Sequence, residues 1–179
     1  MINLKLNSKI LTDAMLFCSK LKNRYILTGV SIKANAGRLE ICSTDGARLY
    51  LATRELEPSE QIQDSYILKF PKLKPTIGDL FLSKEGDYIF INSKDGRALC
   101  EVIDGRFPNY WAVVPENADL SKMEHAKEYA LFKWEYLRDL KKVIGREFVP
   151  LAKNGVAPHF WQDEQGNYKI TVVILPLRN

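Results

Sequence analysis

The sequence predicts an α+β fold made of a repeated strand-helix-three-strand module, and three observations carry that expectation. A period-two alternation is followed by helical spacing and then by closely set strand signals. The same order comes round twice more along the chain, and Gly, Pro, Asn and Asp clusters punctuate it.

The first module opens with Ile2-Asn3-Leu4-Lys5-Leu6, which alternates as a half-buried strand does. Ile10, Leu11, Ala14, Met15, Cys18 and Leu21 then recur at intervals of three and four, which predicts a helix with Ser8 or Thr12-Asp13 near its start as capping groups. Strands are expected over 25–33, 38–43 and 48–54, separated by Asn35-Ala36-Gly37 and Asp45-Gly46. One strand and one helix cannot close a core alone, so this unit calls for a partner sheet.

The second module begins at Tyr66-Ile67-Leu68-Lys69-Phe70 and continues with strands near 79–83, 88–93 and 98–103. Pro71 and Pro75 stand where the helix should be and leave room for a single turn at most. Residues 104–127 carry turn residues, prolines and a polar stretch, with the linker set at 116–127. A third module follows: a strand over 129–132, then a helix whose buried stripe is Trp134, Leu137, Leu140, Val143 and Ile144, then strands near 149–151, 156–162 and 168–176. The expected organisation is a domain over 1–115, the linker 116–127 and a half domain over 128–179.

Composition narrows the function classes. The chain has 179 residues, is 46% hydrophobic and holds three Trp, eight Tyr and eight Phe, enough to fill a core. No apolar run approaches the roughly 20 residues that span a bilayer, and the first residues lack a signal-peptide pattern, so a cytoplasmic location is expected. Cys18, Cys42 and Cys100 form no C-x-x-C pair and read as buried thiols. A formal charge of +4 permits anionic partners without selecting one.

Phosphate-loop, dinucleotide, serine-hydrolase and zinc-protease motifs are all missing. His125 and His159 read as ordinary surface or core histidines, and Asp45, Glu101 and Asp104 as turn and ion-pair residues, because their spacing fits no acid/base or metal pattern. The expectation is a non-enzyme with no cofactor and no metal.

Three stretches resemble the bacterial DNA sliding clamp, the β subunit of the replicative DNA polymerase. Tyr25 to Val30 with Leu39 to Leu49 is similar to the clamp's paired strands and T-D-G-x-R-L turn. Val102 to Tyr110 with Val113-Val114-Pro115 resembles the segment that leaves the clamp's middle domain, and Val173-Ile174-Leu175-Pro176-Leu177-Arg178 its closing V-x-M-P-M-R. The resemblance implies the DNA clamp fold, about one and a half clamp domains: the middle domain followed by the second half of the last.

It further implies a groove for clamp-binding peptides of DNA polymerase, clamp-loader or repair proteins. The matching positions are Leu27, Thr44, Gly46, Arg48, Leu49, Pro115, Val173, Leu175, Pro176, Leu177 and Arg178, with Arg48 and Arg178 suited to a peptide's polar groups. Ala47 replaces a more polar family residue, and Leu175 and Leu177 replace methionines, which makes the pocket less adaptable. Lys9, Lys20, Lys22, Lys133, Arg138, Lys141 and Lys142 match the basic helices that face duplex DNA in clamps, contacts that are sequence-independent and salt-sensitive.

A clamp ring contains twelve modules, and three are legible here. The third, without a sibling, leaves a sheet edge for another copy, so a homo-oligomer is expected. Two alternatives stay open: a decoy or regulator that sequesters replication partners without staying on DNA, and a simple non-specific DNA-binding module.

Overall fold

The computed structural model describes residues 1–71, 78–114, 130–145, 150–152 and 157–177. Strand β1 (Ile2–Asn7) alternates buried and exposed residue by residue, with Ile2, Leu4 and Leu6 in the core. Helix α1 (Ser8–Leu16) follows without a loop, and Asn7 rather than Ser8 or Thr12-Asp13 caps it: the Asn7 side chain accepts from the N–H groups of Lys9 and Ile10. The helix stops at Leu16, short of Leu21, which is exposed.

The strand expected from Tyr25 starts late. Residues Lys22–Thr28 form 3-10 turns, and β2 begins at Val30 (Val30–Asn35). Local and tertiary hydrogen bonds hold these turns against the β tendency of Tyr-Ile-Leu: Ser19 N–H donates to Leu27 O at 2.8 Å and Thr28 Oγ1 to Tyr25 O at 2.7 Å. Strands β3 (Arg38–Thr44) and β4 (Arg48–Glu55) complete the first unit as an antiparallel meander. A two-residue strand, β5 (Gln61–Ile62), which the sequence did not announce, returns to flank β1.

The second unit consists of β6 (Tyr66–Lys69), β7 (Asp79–Glu85), β8 (Tyr88–Ser93) and β9 (Gly96–Val102). Pro75 and the rest of 72–77, where a single turn was expected, lie outside the described residues. The two units exchange their first strands. β1 pairs antiparallel with β7, Lys5 opposite Phe81, while β6 pairs with β2, Ile67 opposite Ser31. Each unit thereby supplies the partner sheet that the other lacks.

Of the third unit, the structure describes helix α2 (Trp134–Val143) and strands β10 (His159–Gln165) and β11 (Tyr168–Ile174), with Leu151 bridging antiparallel to Phe160. The linker 116–127, the start of the expected strand at Tyr129, and Val149 and Val156 lie outside the described residues. Residues 130–133 are described and form no named strand. Leu140, Val143 and Ile144 are buried and Leu137 partly so, but Trp134 is 72% exposed. Phe132, two residues earlier, already packs edge-on against His159 and Trp161, with ring centroids 5.0 and 5.9 Å away.

Among the described residues, the eleven strands join one sheet in the order β10-β11-β4-β3-β2-β6-β9-β8-β7-β1-β5. The main core takes its side chains from all three units, including Leu4, Leu11, Phe17, Tyr50, Leu82 and Leu140. Each such aliphatic or aromatic group contributes about 1.5 to 3 kcal/mol on burial. A second cluster of Cys42, Leu49, Leu51, Tyr110, Val114, Phe160 and Val173 joins the first unit to the third. Cys18, Cys42 and Cys100 are free thiols, and burial pushes Cys18 and Cys100 up to about 12. Among the described residues no helix is long and apolar enough to cross a membrane.

Candidate peptide-binding site

The turn between β3 and β4 organises itself. Thr44 Oγ1 accepts from Gly46 N–H at 3.0 Å and donates to Arg48 O at 2.7 Å. Asp45 Oδ1 accepts from the N–H groups of Ala47 and Arg48 at 3.0 and 3.1 Å, an Asx arrangement that fixes the loop. Gly46 sits at φ +93°, a left-handed conformation that favours glycine, and a Cβ there would lie 2.6 Å from Arg24 Nη1 and 4.0 Å from Leu27 Cδ1. The missing side chain is what lets the 22–28 turns close on the hairpin, with Arg24 donating to Asp45 O.

The third unit reaches the same turn by sheet extension. β11 pairs with β4, placing Val173 opposite Leu49 and Ile174 opposite Arg48. The ladder then continues one bond further, Leu175 N–H to Ala47 O at 2.9 Å, and Leu177 N–H donates to Leu131 O at 2.7 Å. Leu49, Val173 and Val114 are buried and form a floor, while Leu175 and Leu177 remain 42% and 44% exposed. Leu27, Thr44, Gly46, Arg48, Leu49, Val173 and Leu175 are thus brought into one neighbourhood, with Pro176 and Leu177 leading away from it. Pro115 and Arg178 lie outside the described residues.

Arg48 departs from its expected role. Its side chain is buried, and its guanidinium is consumed internally: Nε donates to Asp45 Oδ2, Nη1 to Asp139 Oδ2 and Nη2 to Leu16 O, each at 2.9 Å. It also lies over the rings of Phe17 and Tyr136 at 4.9 and 4.7 Å. Burial alone would raise the Asp139 carboxyl, but hydrogen bonds from Arg48 and Lys142 hold it below the usual carboxylate range. Arg48 therefore holds the turn to α1 and α2 instead of presenting donors to a peptide.

A buried carboxylate secures the far side. Glu40 on β3 accepts from Tyr110 Oη and from Trp111 Nε1 (3.2 Å), and pairs with Lys33 at 3.3 Å. This anchors 110–114 over the sheet and brings Val114 to the floor. Sequence reasoning missed Glu40, Arg24 and Asp139, none of which lies in a recognisable motif. A separate cavity of about 870 Å³, lined by Lys33, Tyr66, Arg106, Phe107 and Tyr110 among others, includes none of the groove residues.

The predicted basic set lies on or beside α1 and α2, which pack side by side, with Lys9 Nζ donating to Lys142 O at 3.4 Å. Lys20, Lys22, Lys133, Arg138, Lys141 and Lys142 are exposed. Part of this charge is met from within: Lys9 pairs with Asp13 at 2.5 Å, and Lys142 and Arg138 pair with Asp139 at 3.1 and 3.5 Å. Among the described residues no cluster of His, Cys, Asp and Glu gathers to hold a metal.

No family model and no curated protein matches the sequence. Solved structures do. A Pseudomonas aeruginosa DNA polymerase sliding clamp with ligand superimposes with a TM-score of 0.72 and 17% identity over 99% of this chain and 66% of that one. The DNA polymerase III β chain of Streptococcus pneumoniae gives 0.72 and 15%, covering 100% and 65%, and the Thermotoga maritima β subunit 0.67 and 15%, covering 100% and 66%. The chain spans just under two thirds of the length of these proteins. From end to end it therefore has the fold of the bacterial DNA sliding clamps, over just under two thirds of their length.

Proposed function

We propose that this chain is a non-enzymatic, clamp-like replication accessory protein of the cytoplasm. Its ligands are the clamp-interacting peptide segments of DNA polymerase, clamp-loader or repair proteins. The slot is bounded by Leu27, the turn from Thr44 to Leu49 and the tail from Val173 to Leu177, with Pro115 and Arg178 as further members. It falls between the domain of 1–115 and the half domain of 128–179, joined by the linker 116–127.

One observation carries the reading. The bond from Leu175 to Ala47 and the closeness of Leu27 to Gly46 gather three distant segments around a buried apolar floor, leaving Leu175 and Leu177 half open. An apolar anchor seated there gains roughly 1.5 to 3 kcal/mol per buried side chain before association costs. The test is titration of a fluorescently labelled Gln/Leu/Phe-rich clamp-binding peptide against wild type and Leu175→Asp. Saturable binding weakened at least roughly tenfold by the substitution supports the slot. Equal binding by both proteins refutes it.

Lys20, Lys22, Lys133 and Lys141, with Lys9, Arg138 and Lys142, supply a phosphate-facing surface of the sequence-independent kind. A second reading, a decoy that occupies replication partners without staying on DNA, draws support from the internal pairing of Lys9, Arg138 and Lys142. Peptide binding with no salt-sensitive affinity for duplex DNA would favour the decoy.

A further inference from the structure

All three units share one local device. Just after the last strand of each unit, a residue donates its N–H back to that unit's opening segment: Gln63 to Met1 O at 3.3 Å, Ile103 to Ile67 O at 2.8 Å, and Leu177 to Leu131 O at 2.7 Å. The flank opposite this bond is filled in the first two units, where β1 takes β7 and β6 takes β2. Among the described residues, nothing ladders to that flank of 130–132, and Leu131 stands 60% exposed. The complementary edge is open as well. Leu151 occupies the place that Ser31 holds beside β3, bonded both ways to Phe160 at 2.9 Å, with no ladder described on its other side.

We infer that these two edges complete each other between two copies of this chain. Residues 130–132 of one copy lie antiparallel to 150–152 of the other, and reciprocally, so that two third units build the closed pair that the first and second units build within one chain. A second copy is the fitting occupant because the exchange is mutual. Each copy both lends the strand and offers the edge, which is the self-complementary geometry of a twofold interface. Leaving both edges bare would invite uncontrolled strand pairing.

Alternation fixes the register. In an antiparallel ladder the N–H and C=O of one residue point to the same side. Leu131 turns its carbonyl to the Leu177 N–H, and Leu151 exchanges both bonds with Phe160. These two leucines therefore face each other as a non-hydrogen-bonded pair, with Cα atoms about 4.5 Å apart. Ala130 and Phe132 then bond to Ala152 and Pro150, where proline, lacking an N–H, offers its carbonyl at the ladder's end. This arrangement is independent of whether a peptide binds the slot.

Two measurements decide it. Light scattering across a dilution series should give twice the 20.5 kDa of one chain. Mild oxidation of a mixture of Leu131→Cys and Leu151→Cys proteins should yield a cross-linked heterodimer, since an interval near 4.5 Å suits a disulfide. Wild type and either variant alone should not cross-link, the native thiols being buried or half-buried. A single-chain mass at every concentration overturns the inference, and so does a two-chain mass with no cross-link in the mixture.

Discussion

Arg48 on β4 donates to Asp139 on α2 at 2.9 Å, across 91 residues of chain, and both side chains are buried. This bond clamps the third unit's helix onto the turn that borders the proposed slot. Removing one partner weakens a buried ionic cluster without stripping it, since Asp45 still pairs with Arg48, and Lys142 and Arg138 still pair with Asp139. The cost should therefore fall below the roughly 3 to 5 kcal/mol of a buried charge left wholly unpaired. Arg48→Met and Asp139→Asn should each lower the urea midpoint accordingly. The double substitution should cost less than the sum of the two, because the partners interact directly. Additive effects would show that the pair is not coupled.

Acid should weaken the fold through two carboxyls. Burial opposes the charge of Asp139 and Glu60, yet hydrogen bonds from Arg48 and Lys142 to the first, and from Arg54 and two backbone N–H groups to the second, hold both below the usual range. A carboxyl depressed on folding contributes stability that is present above its unfolded pKa and lost as pH falls through its folded pKa. Asp13, raised by burial, acts in the opposite sense and offsets part of that loss. Urea midpoints should hold steady through neutral pH and fall below about pH 4, where unfolded carboxyls titrate. Asp139→Asn should start lower and fall less steeply; a decline between pH 7 and pH 5 would contradict this assignment.

Gly46 makes the contact between Leu27 and the hairpin. Gly46→Ala imposes a left-handed strain of about 1 to 3 kcal/mol and pushes on Arg24, whose flexible end can swing aside. The expected result is a modest loss of stability in thermal unfolding and a larger loss of peptide affinity. A variant that binds peptide as wild type does would separate Gly46 from the slot.

DNA affinity should follow the exposed lysines that no carboxylate holds in the described structure. Replacing Lys20, Lys22 and Lys141 with Ala should reduce the slope of log affinity against log salt by about 0.9 for each lysine that meets a phosphate. Lys9→Ala and Lys142→Ala should change it less, since Asp13 and Asp139 already hold them. Equal slopes for all the variants would leave the helices without a role in DNA contact.

Much of this was legible in the residues, and the exceptions share a cause. The alternation of Ile2, Leu4 and Leu6, the periodicity of Ile10, Leu11 and Ala14, and the hairpin at Thr44-Asp45-Gly46 are set by local pattern, and the structure follows them. The 3-10 turns at 22–28 depend on Ser19 and Asp45, contacts that a period-two reading does not see. Trp134 fits the helical stripe by spacing, yet it begins α2 where Phe132 already packs against His159 and Trp161. Arg48 entered the expected groove through its match to the clamp's turn, and nothing in the sequence pointed to its partner Asp139, 91 residues away. Long-range ionic pairing is the property that a single sequence conceals most completely.

The central claim is that Leu27, the hairpin and the tail form one ligand slot. A clamp-binding peptide carrying a photoreactive leucine analogue, irradiated with the wild-type protein and mapped by mass spectrometry, addresses it without any substitution in the chain. Adducts should concentrate at Leu27, Gly46-Ala47 and Val173 to Leu177. Adducts confined to the exposed β7–β9 face around Phe81, Tyr88 and Leu99 would contradict the account.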